Sequence, residues 1–429
     1  NNRKGLPLSE KILPQYLKDL GYQTSLIGKW HLGRFKKAYL PNQRGFDHFY
    51  GYLTGGIGHY NHVHGGGLDW QRNGKTVVEE GYSTHLLTDE AILIIRERQK
   101  GNPFFIEICY SAPHIPNEAP EEAVVPYYEL PQKKRQLHAA MVSEVDKGIE
   151  RIIGEVQAND LLSNTIIWFM SDNGGSTGEG YSENVQNIVK GANSLFNPPF
   201  PIPFLEFLRR TVESTASDNS PLRKGKGSVY EGGVRVPSFI YAPAFLSTQK
   251  VESRITVNDI LPTLLAASGY QETHNLEIDG ISQWAFLRGE APAGQTDYLT
   301  HAILGNEAYF SDSLKLIIPT DGPPELYNVF DDPTEKNNLA DENEDLVAEL
   351  VEKVKAFPRG ESVHDPIWKT ALDPDFFGGE IDREPYAEVE GFNAGPTHPA
   401  HIIIPALLVS LLSLIGFLIR GWRLKKRRT

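Results

Sequence analysis

The feature that most limits how this chain can fold is an alternation. Four short runs, Gln23 to Ile27, Phe104 to Tyr110, Thr165 to Met170 and Pro237 to Ala242, are rich in aliphatic, β-branched and aromatic residues. They read as strands buried on both faces. Helical spacing fills the gaps. Thr84 to Gln99 follows a cap offered by Ser83 or Thr84, and Leu137 to Val156 sets Leu137, Met141, Val145, Ile149, Ile152 and Val156 in one stripe. Strand and helix in turn predict an α/β fold, a mostly parallel central sheet with helices on both faces.

Shorter elements flank this unit. A helix over Ile12 to Leu20 keeps Pro14 in its first turn and stops at Gly21, and another over Val257 to Ser268 stops at Gly269. From residue 296 the pattern changes to short strands, Leu314 to Ile318 and Glu325 to Val329, and then a helix around Asp345 to Lys355. The expected division is a main α/β domain over 1–295 and a small antiparallel α+β subdomain over 296–355. A Pro- and Gly-containing stalk follows over 356–400, then a transmembrane helix over 401–420 and a basic tail over 421–429. The helix expectation rests on Ile402 to Ile419, which has no charge and spans about 27 Å at about 1.5 Å per residue. Basic residues directly after it place the tail in the cytoplasm and the rest on the periplasmic or extracellular side. No signal peptide opens the chain, since Asn1 to Glu10 is polar. Residues 176 to 220 lack periodicity and read either as a lid or substrate wall or as a species-specific surface insertion.

Net charge is −13 although six of the last ten residues are Lys or Arg, so the body is more acidic still and unsuited to nucleic acid. One cysteine, Cys109, excludes an intramolecular disulfide. No Asn-x-Ser/Thr acceptor occurs, which points away from a secreted eukaryotic glycoprotein.

In open α/β sheets ligands bind beyond the carboxyl ends of strands, so the residues after each run carry the chemistry. Lys29 and His31 follow the first run, His114 the second, and Ser171-Asp172-Asn173-Gly174-Gly175 the third. The carboxylate and amide oxygens of Asp172 and Asn173 suit a hard cation such as Ca²⁺ or Mg²⁺. Arg223-Lys224-Gly225-Lys226 brings positive charge just before the fourth run. A local cationic pocket in an acidic protein suits a small anionic group. Taken singly, each of these residues also fits a structural role, a turn at Asp172 or a satisfied core histidine. In the Gly-rich loop after Tyr52, His59, Tyr60, His62 and Trp70 are candidates to line a sugar site.

The run Gly21-Tyr22-Gln23-Thr24-Ser25-Leu26-Ile27-Gly28-Lys29-Trp30-His31 resembles a signature of the type I sulfatases, within the alkaline phosphatase superfamily. The likeness continues through Arg44-Gly45-Phe46-Asp47, Ala112-Pro113-His114, Ser171 to Gly175, Glu231-Gly232-Gly233-Val234-Arg235, Asp259 to Leu264 and Glu325-Leu326-Tyr327-Asn328. It is most similar to the arylsulfatase B (N-acetylgalactosamine-4-sulfatase) branch. The resemblance implies calcium-dependent hydrolysis of sulfate monoesters, on a sulfated carbohydrate or aryl sulfate, by a formylglycine made from Cys or Ser by a formylglycine-generating enzyme. It makes Asp172 and Asn173 metal ligands and has Lys29 and Lys226 neutralise sulfate oxygens. Lys226 or His114 protonates the leaving alcohol, and His31 assists the formylglycine. His59 joins them as a substrate-binding candidate.

The chain departs from the family at its start. The Cys/Ser-x-Pro-x-Arg nucleophile motif and the paired aspartates belong upstream of Gly28, and neither is present. Cys109, inside an apolar run with no arginine after it, is no substitute. The expectation is therefore a piece of an active enzyme, with half a metal site and no hydrolysis of its own. Phosphonate or phosphodiester hydrolysis on the same scaffold, and a catalytically dead membrane-tethered glycan-binding homologue, are the alternatives.

Overall fold

Strand β1, Gln23–Lys29, is the spine of the molecule, with every residue from Thr24 to Gly28 buried. Ile27 points into a core with Tyr50, Tyr52, Trp70, Leu87 and Ala91, while its neighbour Leu26 points into another with Trp30, Phe46, Phe49 and Leu53. Side chains that alternate between two apolar layers are what a strand covered on both faces requires. The structure, a computed structural model, describes residues 5–34, 37–64, 67–177, 216–270, 278–294, 297–302 and 305–358.

Helix α1, Leu13–Asp19, leads into β1, which is followed by β2 at His48–Tyr52. Three pairs of residues, β3 Val63–His64 with β4 Gly67–Leu68, β5 Gln71–Arg72 and β6 Lys75–Thr76, form small antiparallel ladders. Helix α2, Ser83–Glu97, β7, Phe104–Cys109, a short α3, Glu121–Val124, and α4, Lys133–Ala158, come next. The sheet order is β6-β5-β2-β1-β7, with β1 parallel to both β2 and β7 but β2-β5 and β5-β6 antiparallel. The central sheet is thus mixed rather than mostly parallel. Helices α2 and α4 pack together over one face, where Ile152 of the expected α4 stripe joins the Trp70 core.

The other two predicted strands do not join this sheet. β8, Ile167–Met170, pairs antiparallel with β9, Ser238–Tyr241, and all of β8 is half-exposed. Phe239 and Tyr241 are exposed. Their apolar composition is that of a two-sided strand, but their surroundings among the described residues are not. The cap of α2 also differs, for Tyr82 takes that place without a side-chain bond and Ser83 is the first helical residue.

The small subdomain has the expected form. Strands β10, Tyr298–His301, β11, Glu307–Ser311, β12, Leu314–Ile318, and β13, Glu325–Asn328, make an antiparallel meander in chain order. One face packs on the helix Glu344–Ala356 through Leu316, Leu326, Leu350 and Val354. The opposite face takes Val229 and Tyr230 from the main unit onto Phe310, Ile317 and Tyr327. Among the described residues no helix is long and apolar enough to cross a membrane. The stalk beyond 358, the apolar run 402–419 and most of the expected lid, 178–215, lie outside the described residues.

Candidate functional site

Three strands end together, glycine against carbonyl. Gly28 pairs with Gly51 of β2 and Cys109 of β7. Its φ is +106°, and a Cβ there would stand 2.1 Å from the Cys109 carbonyl oxygen, so the strands close up only around glycine. Lys29 and His31 leave the sheet at this point. Trp30 between them turns into the core, its indole N–H donating to the carbonyls of Gly33 and Tyr39 at 3.0 Å each.

The loop after β2 seats the imidazoles. Buried Asp69 accepts the N–H groups of Leu53 (3.0 Å) and Thr54 (2.9 Å), which fixes Gly55-Gly56. A Cβ on Gly55 would lie 2.7 Å from His31 Cε1, and one on Gly56 would lie 3.0 Å from His114 Nδ1. His64 donates from Nδ1 to the Gly56 carbonyl at 2.6 Å. His114 sits in a turn closed by its N–H to Ser111 O (2.8 Å) and donates from Nδ1 to the Ile115 carbonyl (2.8 Å), which leaves Nε2 for the site.

His59 does not face the site. It is fully buried, donating from Nε2 to the His114 carbonyl (3.1 Å) and accepting at Nδ1 from the Ser83 hydroxyl (3.0 Å). It supports the His114 backbone rather than lining a sugar site. His62, stacked on Trp70 at 4.4 Å, is buried with it, and of this aromatic group Tyr60 alone is exposed.

A second wall is built from loops. After β8, Gly174 N–H donates to the Gly233 carbonyl (2.9 Å) and Lys226 N–H to the Gly175 carbonyl (3.0 Å). Asn219 ties the two loops, accepting Gly175 N–H at 2.9 Å and donating to the carbonyls of Gly175 (2.7 Å) and Lys224 (3.0 Å). A Cβ on Gly174 would stand 1.8 Å from Gly232 O, so the motif glycines are a packing need. Asp172 is exposed at the mouth, its Oδ1 held by Asn173 Nδ2 at 2.8 Å.

The two walls feel one another. Burial and the neighbouring Lys226 ammonium lower the pKa of Lys29, against the opposing pull of Asp172. Burial together with Lys29, His64, Lys226 and Arg34 pushes His31 down to about 4, so its ring is neutral near pH 7 although its edge opens into the crevice. Burial also lowers His114, partly countered by the Ile115 carbonyl, with Lys226 and Lys29 adding to the depression. Lys29, His31, His114, Lys226 and Asp172 thus lie near enough for their charges to act on one another, with Asn173 beside Asp172. Burial raises the Cys109 thiol well above its ordinary value, with Glu107 adding to it, which makes it a poor nucleophile.

Asp172 and Asn173 offer hard oxygen donors of the kind Ca²⁺ takes. They are two donors, and the described residues contain no group of three or more His, Cys, Asp or Glu able to hold a metal. His64 and Asp69 are site-building residues that the sequence reading passed over. Nothing in Gly67-Leu68-Asp69-Trp70 marks a carboxylate that will be wholly buried under two backbone amides.

The sulfatase family profile matches residues 1–270. Mouse arylsulfatase J is 30% identical over 303 residues, covering 68% of this chain and 45% of that protein. Human N-acetylgalactosamine-6-sulfatase is 26% identical over 291 residues, covering 65% and 48%. The chain thus spans about half the length of these curated relatives. Among solved structures, Ps i-CgsB in complex with k-i-k-neocarrahexaose superposes with a TM-score of 0.71 at 27% identity, over 88% of this chain and 82% of that one.

Proposed function

We propose that this chain, which belongs to the sulfatase family, carries the anion-binding and proton-handling half of a hydrolase of sulfate monoesters on sulfated carbohydrate. What supports this reading most is the mutual influence of Lys29, His31, His114, Lys226 and Asp172 beyond the paired ends of β1 and β7, a local positive cluster in an acidic protein. The oligosaccharide complex of Ps i-CgsB supports a carbohydrate substrate.

Lys29 and Lys226 are fixed cations for the sulfate oxygens, on which charge develops as the ester bond breaks. His114 commits its Nδ1–H to the Ile115 carbonyl, so its neutral ring turns an unprotonated Nε2 to the site, where it can accept a hydrogen bond from the Lys226 ammonium or from substrate. As burial keeps its imidazole neutral at pH 7, Lys226 is the better proton donor to the leaving alkoxide. His31, also neutral, serves as a hydrogen-bond acceptor and orienting group. Asp172 and Asn173 would hold Ca²⁺, which supplies further positive charge to the sulfate group. These 429 residues contain neither Cys-x-Pro-x-Arg nor Ser-x-Pro-x-Arg, so turnover requires further polypeptide bearing the formylglycine precursor. The apolar run 402–419 and its basic tail support a single membrane anchor with the site on the periplasmic or extracellular side.

Titration of the chain with inorganic sulfate tests the reading. Lys29→Ala and Lys226→Ala should each weaken binding by about tenfold, the loss of one cation contact. A sulfated carrageenan hexasaccharide should compete and its desulfated form should not. Sulfate affinity untouched by either substitution sinks the proposal.

A further inference from the structure

Lys315 is wholly buried at the centre of β12, between two buried carboxylates, Glu231 Oε1 and Glu335 Oε1, at 2.8 Å each. Glu335 also accepts the Glu231 N–H at 2.9 Å, and the Lys315 ammonium lies 4.9 Å from the Phe310 ring centre. None of these groups faces the crevice, and the chemistry proposed above uses none of them. An apolar side chain of similar volume would stabilise the core as well or better, so stability is a weak reason for such a cluster. What such a cluster can add is selection of an arrangement, since Lys315 and Glu335 together hold Glu231 by its side chain and by its backbone N–H.

That segment is the one that carries the second wall. Glu231 opens the short helix Glu231–Val234, whose Gly233 carbonyl receives Gly174 N–H beside Asp172 and Asn173. Gly232 N–H donates to Arg223 O (2.9 Å), three residues before Lys226. A second tether runs in parallel, from Arg223 to Glu325 Oε2 (2.7 Å) and the Tyr327 hydroxyl (3.0 Å) of β13, with Tyr230 reaching Glu325 Oε1 at 3.2 Å. Val229 and Tyr230 complete the attachment by packing in the core of the small sheet.

We propose that Lys315 is a positioning residue for the anion site, fixing Lys226 and the Asp172-Asn173 turn through Glu231. The inference rests on the functional reading above. It gives the small subdomain a role at a site to which, among the described residues, it contributes no side chain.

The test uses the full chain, amide hydrogen exchange, and acetylation of Lys29 and Lys226 with and without inorganic sulfate. Lys315→Met alone strands Glu335 and leaves Glu231 only Arg235, at 3.7 Å, and risks unfolding, so it is paired with the shape-conserving triple variant Lys315→Met/Glu231→Gln/Glu335→Gln. In the folded triple variant, the Gly174 and Lys226 amides should lose protection from exchange while those of β1 keep theirs. Sulfate that shields both lysines in the parent should still shield Lys29 but no longer Lys226. A merely structural role would leave the selective shielding of Lys226 intact or abolish both together, and either result overturns the proposal. If sulfate shields neither lysine in the parent, the anion-site reading falls, and unchanged exchange at Gly174 and Lys226 would still refute the tether by itself.

Discussion

The two walls of the crevice are held in different ways. Lys29 and His31 extend from a strand whose position is set by backbone pairing on both sides, and His114 follows β7, the strand paired to it. Lys226 and Asp172 stand on loops whose footing is a buried ion cluster and a two-stranded ladder that is half-exposed. Backbone pairing depends little on which side chains are present, whereas the second wall, for all its loop-to-loop backbone bonds, also hangs on Asn219, Arg223, Glu231 and Lys315. Substitutions should therefore loosen the second wall without disturbing the first far more readily than the reverse.

The largest effects separate the walls by core. Trp70→Ala empties the layer beneath β2, where Trp70 is fully buried against Tyr50 and Tyr52, and should cost about 3–5 kcal/mol. Urea unfolding should show that loss as one cooperative shift. Lys315→Met should cost a similar amount, about 3–5 kcal/mol, because it leaves buried Glu335 without its cation and Glu231 with only Arg235, at 3.7 Å. The triple variant should recover most of it. A single Lys315→Met that unfolds no more easily than the parent would mean that the cluster holds nothing in place.

Next is Asn219→Ala. Asn219 makes three hydrogen bonds that tie the Asp172 loop to the Lys226 loop, and one of the groups it leaves behind, Gly175 N–H, is half-buried. A cost of about 1–3 kcal/mol follows from stranding such groups. Exchange should quicken at Gly175 and not in β1.

How much of this was legible beforehand depends on what each residue needed. Strand β1 and strand β12 were readable because their own composition sets both faces; Lys29, His31 and His114 were found by their places after strand runs, and Lys226 by the positive charge gathered just before one. The partners of β8 and β9 were not readable, since an apolar run says that it will be covered but not by which strand or in which direction. The ladders between Val63 and Thr76 are two residues long, too short for any periodicity. His59 looked like a ligand for sugar because a loop histidine usually faces water, yet burial under Tyr82 and a bond to the His114 carbonyl gave it another role. Ser83 looked like a cap, but its hydroxyl is engaged by His59.

Acid should sharpen the contrast between walls. Unfolded imidazoles take up protons near pH 6.5, while His31 in the fold does so only at about 4. Between these values the unfolded chain binds more protons, so stability should fall as pH drops from about 6.5 towards 4. His31 is exposed enough that screening discounts its share to about 1 kcal/mol. His31→Gln should flatten that part of the profile. Glu325, which tethers the second wall through Arg223, responds later. Burial works to raise Glu325, but Tyr327 and Arg223 hold it below its ordinary 4.5, so its contribution persists above that pH and is lost only as acid goes lower. A His31→Gln variant with an unchanged slope between pH 6.5 and 4 would remove the imidazole from this account.

The smallest expected effect concerns the support of His114. Ser83→Ala removes the hydroxyl that meets His59 Nδ1, and the loss of one neutral hydrogen bond should cost about 0.5–1.5 kcal/mol. Because no cap is lost, the helicity of α2 should not change in far-ultraviolet circular dichroism. The effect should appear instead in the His114 ring resonances, since His59 holds the His114 carbonyl. A loss of helical signal with His114 unmoved would restore Ser83 to a capping role and detach His59 from the site. If the reverse holds, the first wall has a side-chain strut besides Asp69, and its dependence on backbone pairing ends at Cys109, where β7 stops before the turn towards His114.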